Sequence, residues 1–183
     1  MNTLFIDTHL YDINVILFKN GVVVKNSISK KGPQNSSSLL PLIIDTIDNN
    51  SFNEIIVVNG PGSFTGLRTG ITVAKTLAYT KKISIKTVNY LEMMAYSLDA
   101  SENYVGIFDN SGIYVGHFKN YNLVEDYFYL KNSEYDESEI KNIIKTSVII
   151  DYENVYKMLK NKDSINPKLV NPVYIKKISA ELW

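Results

Sequence analysis

Glu54-Ile55-Ile56-Val57-Val58-Asn59-Gly60-Pro61-Gly62-Ser63-Phe64-Thr65-Gly66-Leu67-Arg68 joins a β-branched run to a glycine-rich turn. The run has the composition of a strand buried on both faces, as in parallel sheet. Gly60 and Pro61 end it, and the residues beyond Ser63 read as a helix to about Thr80. Such a strand–turn–helix presents unpaired N–H groups and the positive end of a helix dipole, which suits anions. Its spacing excludes the common phosphate loops. Five residues separate Gly60 from Gly66 where a P-loop has four, and Leu67 stands in place of its Lys. Gly60-x-Gly62 has Thr65 where a dinucleotide fingerprint needs its third glycine. Ser63 is flanked by Pro61 and Thr65 instead of the glycines of a hydrolase elbow, so no acyl-transfer nucleophile is supported.

The helix after the turn repeats small residues every fourth position: Gly66, Gly70, Ala74 and Ala78. Glycine inside an exposed helix costs about 1 kcal/mol relative to alanine, so close approach of another backbone should compensate. The chain's own sheet and a partner's helix are both candidates for that approach. Arg68 is the single arginine beside 18 lysines. Its fork of donors suits a carboxylate or phosphate at an interface, although most arginines are solvated surface charges.

Upstream, Leu4–Ile6, Ile13–Phe18 and Val22–Ile28 read as three strands. Asn20-Gly21 between the last two is the pair a type I′ hairpin prefers, because both central residues need positive φ. After the polar stretch from Lys30 to Ser36, Leu39, Leu40, Ile43, Ile44 and Ile47 recur at helical spacing, with Ser37 or Ser38 as N-cap and Pro41 in the first turn. Ile83–Val88 reads as a strand, and Asn89 followed by Glu92 opens a helix with a capping box. Beyond Asp99–Asn103 the order recurs. Tyr104–Phe108, Ile113–Phe118 and Leu123–Leu130 read as a second meander, followed by a helix over Glu134–Lys145, a strand over Ser147–Ile150 and a helix ending near Lys160. Two units follow, residues 1–101 and a smaller one over 102–183.

Composition narrows the function. In 183 residues, 19 basic and 19 acidic side chains balance, which argues against a free-standing nucleic-acid binder. There is no cysteine, hence no disulfide and no thiol nucleophile, and the two histidines, His9 and His117, are too few and too far apart for a zinc site. No apolar run approaches the 18 residues of a membrane span and the start lacks a signal-peptide pattern, so a cytoplasmic protein is expected. Lys157, Lys160, Lys162, Lys168, Lys176 and Lys177 concentrate near the end, read first as a solvated face and second as a contact for nucleic-acid phosphates.

Leu4-Phe5-Ile6-Asp7-Thr8, Leu39-Leu40-Pro41-Leu42-Ile43, the Gly60–Arg68 turn with Gly70 and Ala74 behind it, Asp109 with the Tyr114 strand, and Pro172-Val173-Tyr174-Ile175-Lys176 together resemble the bacterial TsaB family, also called YeaZ. The resemblance implies an α/β fold of the actin-like, sugar-kinase type (ASKHA), with two related lobes and the second reduced. It implies a non-catalytic accessory subunit that binds and activates TsaD. The complex, assisted by the ATPase TsaE, transfers threonylcarbamoyl to N6 of the adenosine beside the anticodon of tRNA.

Under that reading Leu42, Ile43, Ser63, Phe64, Thr65, Gly66, Leu67, Arg68, Gly70, Ile71 and Ala74 face TsaD. Asp7, Thr8 and Asp109 are remnants of a nucleotide site. No metal or cofactor is expected on the chain alone, with ATP or ADP reserved for the complex interface, and the small-residue helix leaves room for a homodimer. The resemblance has departures: Asp109-Asn110-Ser111 replaces the family's Asp-Ala-Arg, Lys176 stands where Arg is usual, and Gly32-Pro33-Gln34-Asn35 lacks a usual histidine. ATP-hydrolysing relatives follow their first Asp with glycine and small hydroxyls, whereas Asp7-Thr8-His9-Leu10-Tyr11 is bulky. His9 reads as an ordinary loop histidine. The alternative is a small stand-alone ATP-dependent phosphotransferase using Asp7 and Asp109. A peptidase has no nucleophile–base pair to support it.

Overall fold

The computed structural model describes residues 1–30 and 36–176. The polar stretch Lys31–Asn35, with the Gly32–Asn35 approach to the first helix, and Lys177 lie outside the described residues.

Five strands make the first sheet: β1 (Asn2–Asp7), β2 (Ile13–Lys19), β3 (Val22–Ser29), β4 (Glu54–Val58) and β5 (Ser84–Val88). Their order is β3-β2-β1-β4-β5, with the meander antiparallel and β4 and β5 added parallel to β1. Asn20 and Gly21 take φ of 53° and 88°, both positive as the hairpin requires. Every residue of β4 is buried, as its unbroken apolar run implies.

Helices α1 (Ser36–Ile47) and α2 (Phe64–Lys81) cover one face of this sheet. Leu39, Ile43, Ile71, Ala74 and Ala78 meet Leu4, Ile6, Val15 and Ile55 there. Pro41 is the sixth residue of α1, beyond the first turn expected for it, so Ser37 lacks its usual N–H donor from four residues on.

The other face meets α3 (Tyr90–Tyr96) and α5 (Tyr152–Leu159). Phe5, Ile16, Phe18 and Val58 pack against Met93, Val155, Tyr156 and Leu159. α3 begins with the expected capping box, Asn89 accepting from Leu91 N–H and Glu92 accepting from Asn89 N–H. Its opposite side, Leu91, Met94 and Ala95, packs on Val105 and Phe118 of the second sheet, so one short helix is sandwiched between the two sheets.

The second sheet holds β6 (Glu102–Phe108), β7 (Gly112–Lys119), β8 (Asn122–Leu123), β9 (Phe128–Lys131) and β10 (Ile144–Lys145). β10 lies parallel to β6 as β4 does to β1, while β6–β7 and β7–β9 are antiparallel. The meander-plus-parallel-strand plan therefore recurs in reduced form.

Three expectations fail in this half. Leu123–Leu130 is interrupted: exposed Glu125 and Asp126 lie between β8 and β9, which pair with opposite ends of β7. The helix over Glu134–Lys145 is only α4 (Asn132–Glu137), stopped where Ser138 turns extended at φ −74°, ψ 139°. Ser147–Ile150 forms no strand. Val148 and Ile150 nevertheless pack against the cluster around α3, so their alternation reflects burial without a strand partner.

From Asp151 onward the chain returns to the first sheet. α5 covers one face and Val170, just after the 3-10 turn Pro167–Leu169, joins the core on the other. No helix among the described residues is long and apolar enough to cross a membrane.

Candidate functional site

The Gly60–Arg68 turn closes on the end of β1. Ser63 N–H donates to the His9 carbonyl at 2.7 Å, and a Cβ on Gly62 would stand 2.1 Å from that same oxygen. Thr8 Oγ1 donates to the Gly66 carbonyl at 2.7 Å, and a Cβ on Gly70 would stand 2.2 Å from Thr8 Oγ1. Ser63 caps α2 by accepting from Gly66 N–H. The glycines thus bring α2 against β1 of the same chain. Of the two candidates for close approach, the chain's own sheet is the one seen.

That packing revises the expected partner surface. Ile43, Gly66, Leu67, Gly70, Ile71 and Ala74 are buried against the first sheet, and a partner cannot reach them without unfolding it. Phe64, Thr65 and Arg68 remain exposed, with Leu42 and Ser63 half-buried. On α1, Leu40 and Ile44, read from the sequence as part of the helix's apolar spacing and not as partner-facing, are 49% and 67% exposed. Arg68 lies over the Phe64 ring at 3.7 Å and donates from Nε to the Tyr174 hydroxyl at 3.1 Å; Tyr174 stacks on Phe64 at 5.5 Å.

Tyr174 belongs to an extended strap over residues 171–176. Val173 N–H donates to the Asn59 carbonyl, and a Cβ on Gly60, where φ is +142°, would stand 2.7 Å from the Val173 oxygen. Lys176 then reaches the second sheet. Its Nζ donates to Ser111 Oγ at 2.6 Å, Tyr129 OH at 3.2 Å and Asp109 Oδ2 at 3.3 Å. Tyr129 and Tyr114 hydroxyls also donate to Asp109. Asp109 starts the 109–112 turn as well, accepting from Ser111 N–H. Partial burial pushes its carboxyl up, but the Tyr129 hydroxyl, Ser111 N–H and Lys176 outweigh that and hold it well below the usual carboxylate range. Burial, then the Asp109 charge, pushes the Tyr114 phenol up to about 12. The Asp109 carboxylate is thus held by Ser111 of its own turn, by Tyr114 and Tyr129 of the second sheet and by Lys176 of the strap. Lys162 is likewise held by Glu92, so the C-terminal lysines do not act as one free patch.

Asp7 and Thr8 are nearly sealed, 4% and 1% exposed. His9 is not the ordinary loop histidine the sequence suggested. It is buried, its Nδ1 lies 2.5 Å from Asp7 Oδ1, its backbone N–H donates to that oxygen at 3.0 Å, and its ring stacks on Tyr90 at 3.9 Å. No group of three or more acidic, histidine or cysteine side chains among the described residues could hold a metal ion. The Tyr174, Tyr129 and Lys176 contacts were not legible in the sequence, because 106, 20 and 67 residues separate them from Arg68 and Asp109.

The family model for TsaD, tRNA N6-adenosine threonylcarbamoyltransferase, matches residues 36–116. The tRNA threonylcarbamoyladenosine biosynthesis protein TsaB of Bacillus subtilis (strain 168) is 33% identical over 100 residues, 52% of this chain and 44% of that protein, so the match spans less than half of the relative's length. YeaZ from Pseudomonas aeruginosa superposes with a TM-score of 0.74 at 17% identity, over 94% of this chain and 99% of that one. The Lmo2764 protein from Listeria monocytogenes, named for an N-acetylmannosamine kinase, shares the fold at a TM-score of 0.50 and 13% identity, over 68% of this chain and 49% of its own. The architecture is that of the actin-like, sugar-kinase fold. Over about half of its length this chain is similar in sequence to TsaB, and over nearly all of it similar in fold to YeaZ.

Proposed function

We propose that this chain is an accessory subunit in the biosynthesis of threonylcarbamoyladenosine in tRNA, the pathway named for its Bacillus relative. It performs no chemistry itself. It binds a TsaD-type catalytic subunit through the outer side of α1, where Leu40 and Ile44 are exposed, and the first turn of α2, where Phe64, Thr65 and Arg68 are exposed. TsaE and tRNA are engaged through the assembled complex, and ATP or ADP enters only at its interface.

The observation that carries the non-catalytic reading is the closure of the β1 end. A phosphate-binding loop there needs free backbone N–H groups and small residues. Here the His9 N–H is spent on Asp7, the His9 carbonyl accepts from Ser63 N–H, and the imidazole is itself buried against Asp7 and Tyr90. The exposed Leu40–Ile44 pair on α1 and the exposed Phe64 with Arg68 on α2 supply what a docking surface requires: apolar area and a fork donor.

Light scattering after size exclusion, on this chain alone and mixed with TsaD from the same organism, tests the reading. A one-to-one complex at micromolar concentration is expected, together with tRNA modification that requires this chain. Failure to associate with or without nucleotide and TsaE, joined to ATP turnover that Asp7→Ala abolishes, would overturn it in favour of a stand-alone phosphotransferase.

A further inference from the structure

Helix α2 carries Arg68, Lys75 and Lys81 and no acidic residue, and Lys82 follows it. Residues 164–176, whose 3-10 turn packs alongside, hold Lys168 and Lys176 and again no acidic residue. Elsewhere the lysines of this neutral chain meet carboxylates: Lys86 meets Glu54, Lys162 meets Glu92 and Lys176 meets Asp109. Among the described residues no ion pair takes Lys75, Lys81, Lys82 or Lys168.

Three of these lysines edge two grooves between the later turns of α2 and the Pro167–Leu169 turn. One, of about 220 Å³, is lined by Lys75, Thr76, Tyr79, Pro167 and Lys168. The other, of about 490 Å³, is lined by Ala78, Tyr79, Thr80, Lys82, Ile83 and Pro167. Tyr79 borders both, with its ring 59% exposed and Lys168 Nζ 5.5 Å from the ring centre. Lys75 Nζ donates to the carbonyls of Lys168 and Val170 at 3.4 and 3.2 Å, which holds the turn on the helix and leaves the cation without a counter-charge. The helix dipole accounts for Lys81 and Lys82 at the C-terminal end of α2. It does not account for Lys75 in the helix interior or for Lys168 outside the helix.

A partner for this ridge must bring negative charge. An acidic protein would also need an apolar anchor to bury, and the grooves offer it only Pro167, Ala78 and the half-buried Ile83. A sugar–phosphate backbone needs lysines and hydroxyls, which gain affinity by counterion release, and its bases stack on exposed aromatic rings. We infer that this ridge binds RNA, with Lys75, Lys82, Lys168 and the Thr76 hydroxyl on phosphates and the Tyr79 ring against a base. That the nucleic acid is RNA rests on the proposed role in tRNA modification. The ridge lies beyond the first turn of α2, where the catalytic subunit is proposed to dock.

The test is the fluorescence anisotropy of an end-labelled, unmodified tRNA transcript titrated with the full chain alone at low salt. Saturable binding is expected with Kd of about 10⁻⁵–10⁻⁴ M, weakening with salt at a log–log slope of about −2 to −3 for three phosphate contacts. Lys82→Gln combined with Lys168→Gln should weaken binding about tenfold and reduce the slope by about 1.5, and Tyr79→Ala should weaken it about fivefold or more. All three side chains are exposed, so the variants should keep the wild-type melting temperature. Lys157→Gln with Lys160→Gln makes the same charge change at the end of α5, on the other face of the first sheet, and should leave affinity within about twofold. Equal losses from the two pairs would show diffuse attraction and overturn the inference, as would no binding at millimolar chain. Displacement of the tRNA by polyglutamate of equal charge would reassign the ridge to an acidic protein and also overturn it. The catalytic subunit is absent from this titration, so a ridge that fails leaves the one-to-one complex standing, and a complex that fails leaves the ridge to be judged on its own binding.

Discussion

Thr8 and Gly70 touch so closely that a Cβ on Gly70 would lie 2.2 Å from Thr8 Oγ1, which is itself bonded to the Gly66 carbonyl. Helix α2 owes its seat on β1 to this missing side chain. Gly70→Leu should therefore destabilise the folded chain by about 1–3 kcal/mol or more through overpacking, despite leucine's better helix propensity. Chemical denaturation of Gly70→Ala, Thr8→Ala and the double variant measures the contact. The double variant should lose less than the sum of the singles; additive losses would mean that the two residues do not press on one another.

Lys86 and Glu54 form a nearly sealed ion pair at 3.0 Å, diagonal neighbours on β5 and β4. Lys86 Nζ also donates to the carbonyls of Leu159 and Lys160 at the end of α5, where a cation complements the helix dipole. Lys86→Met leaves Glu54 buried without its cation and should cost about 3–5 kcal/mol. Pairing it with Glu54→Met should recover much of the loss in the urea midpoint. A double variant as weak as Lys86→Met alone would locate the cost at α5 and not at the carboxylate.

Asp109 makes stability depend on acid. Its carboxyl titrates lower in the folded chain than in the unfolded one, so the stabilisation is complete above the unfolded value of about 4 and is lost as pH falls towards the folded value. With the side chain about a third exposed, solvent screening reduces the size of the effect. Urea midpoints of wild type and Asp109→Asn should differ near neutral pH and converge on acidification. A constant difference at every pH would show that the turn geometry, not the charge, matters.

Ile44 sits outside the core at 67% exposure, so Ile44→Asp should leave stability within about 0.5 kcal/mol of wild type. In the proposed complex it should weaken association with the catalytic subunit by about 2 kcal/mol or more. Unchanged affinity, measured by titration calorimetry on a variant with a wild-type melting temperature, would place the docking face elsewhere.

How much of this was legible in the sequence follows the type of signal. The first sheet was, strand by strand, because Asn20-Gly21, the Glu54–Val58 run and the Asn89–Glu92 cap are local instructions whose partners lie nearby. The second half was legible only in part: β6, β7 and α5 lie where expected, while the segments around β8 to β10 and α4 do not. Val148 and Ile150 alternate like a strand yet only lean on α3, since periodicity reports which side is buried and is silent on hydrogen-bond partners. The stripe from Gly66 to Ala78 was visible, but its partner was ambiguous, as a helix row of small residues looks the same whether its own sheet or another molecule approaches. The Asp7–His9 pair is the converse case. Both residues were read, one as a nucleotide remnant and one as a loop histidine, and only the loop's curvature joins them.

The return of α5 and Val170 to the first sheet has a consequence for synthesis on the ribosome. When residues 1–101 have emerged, Phe5, Ile16 and Phe18 still lack Val155, Tyr156 and Leu159, and the α1–α2 face still lacks Val170. The first lobe is begun first and finished last. A nascent chain halted before α5 would display that unfinished apolar face to chaperones, and a fragment ending at residue 101 should aggregate where the full chain does not.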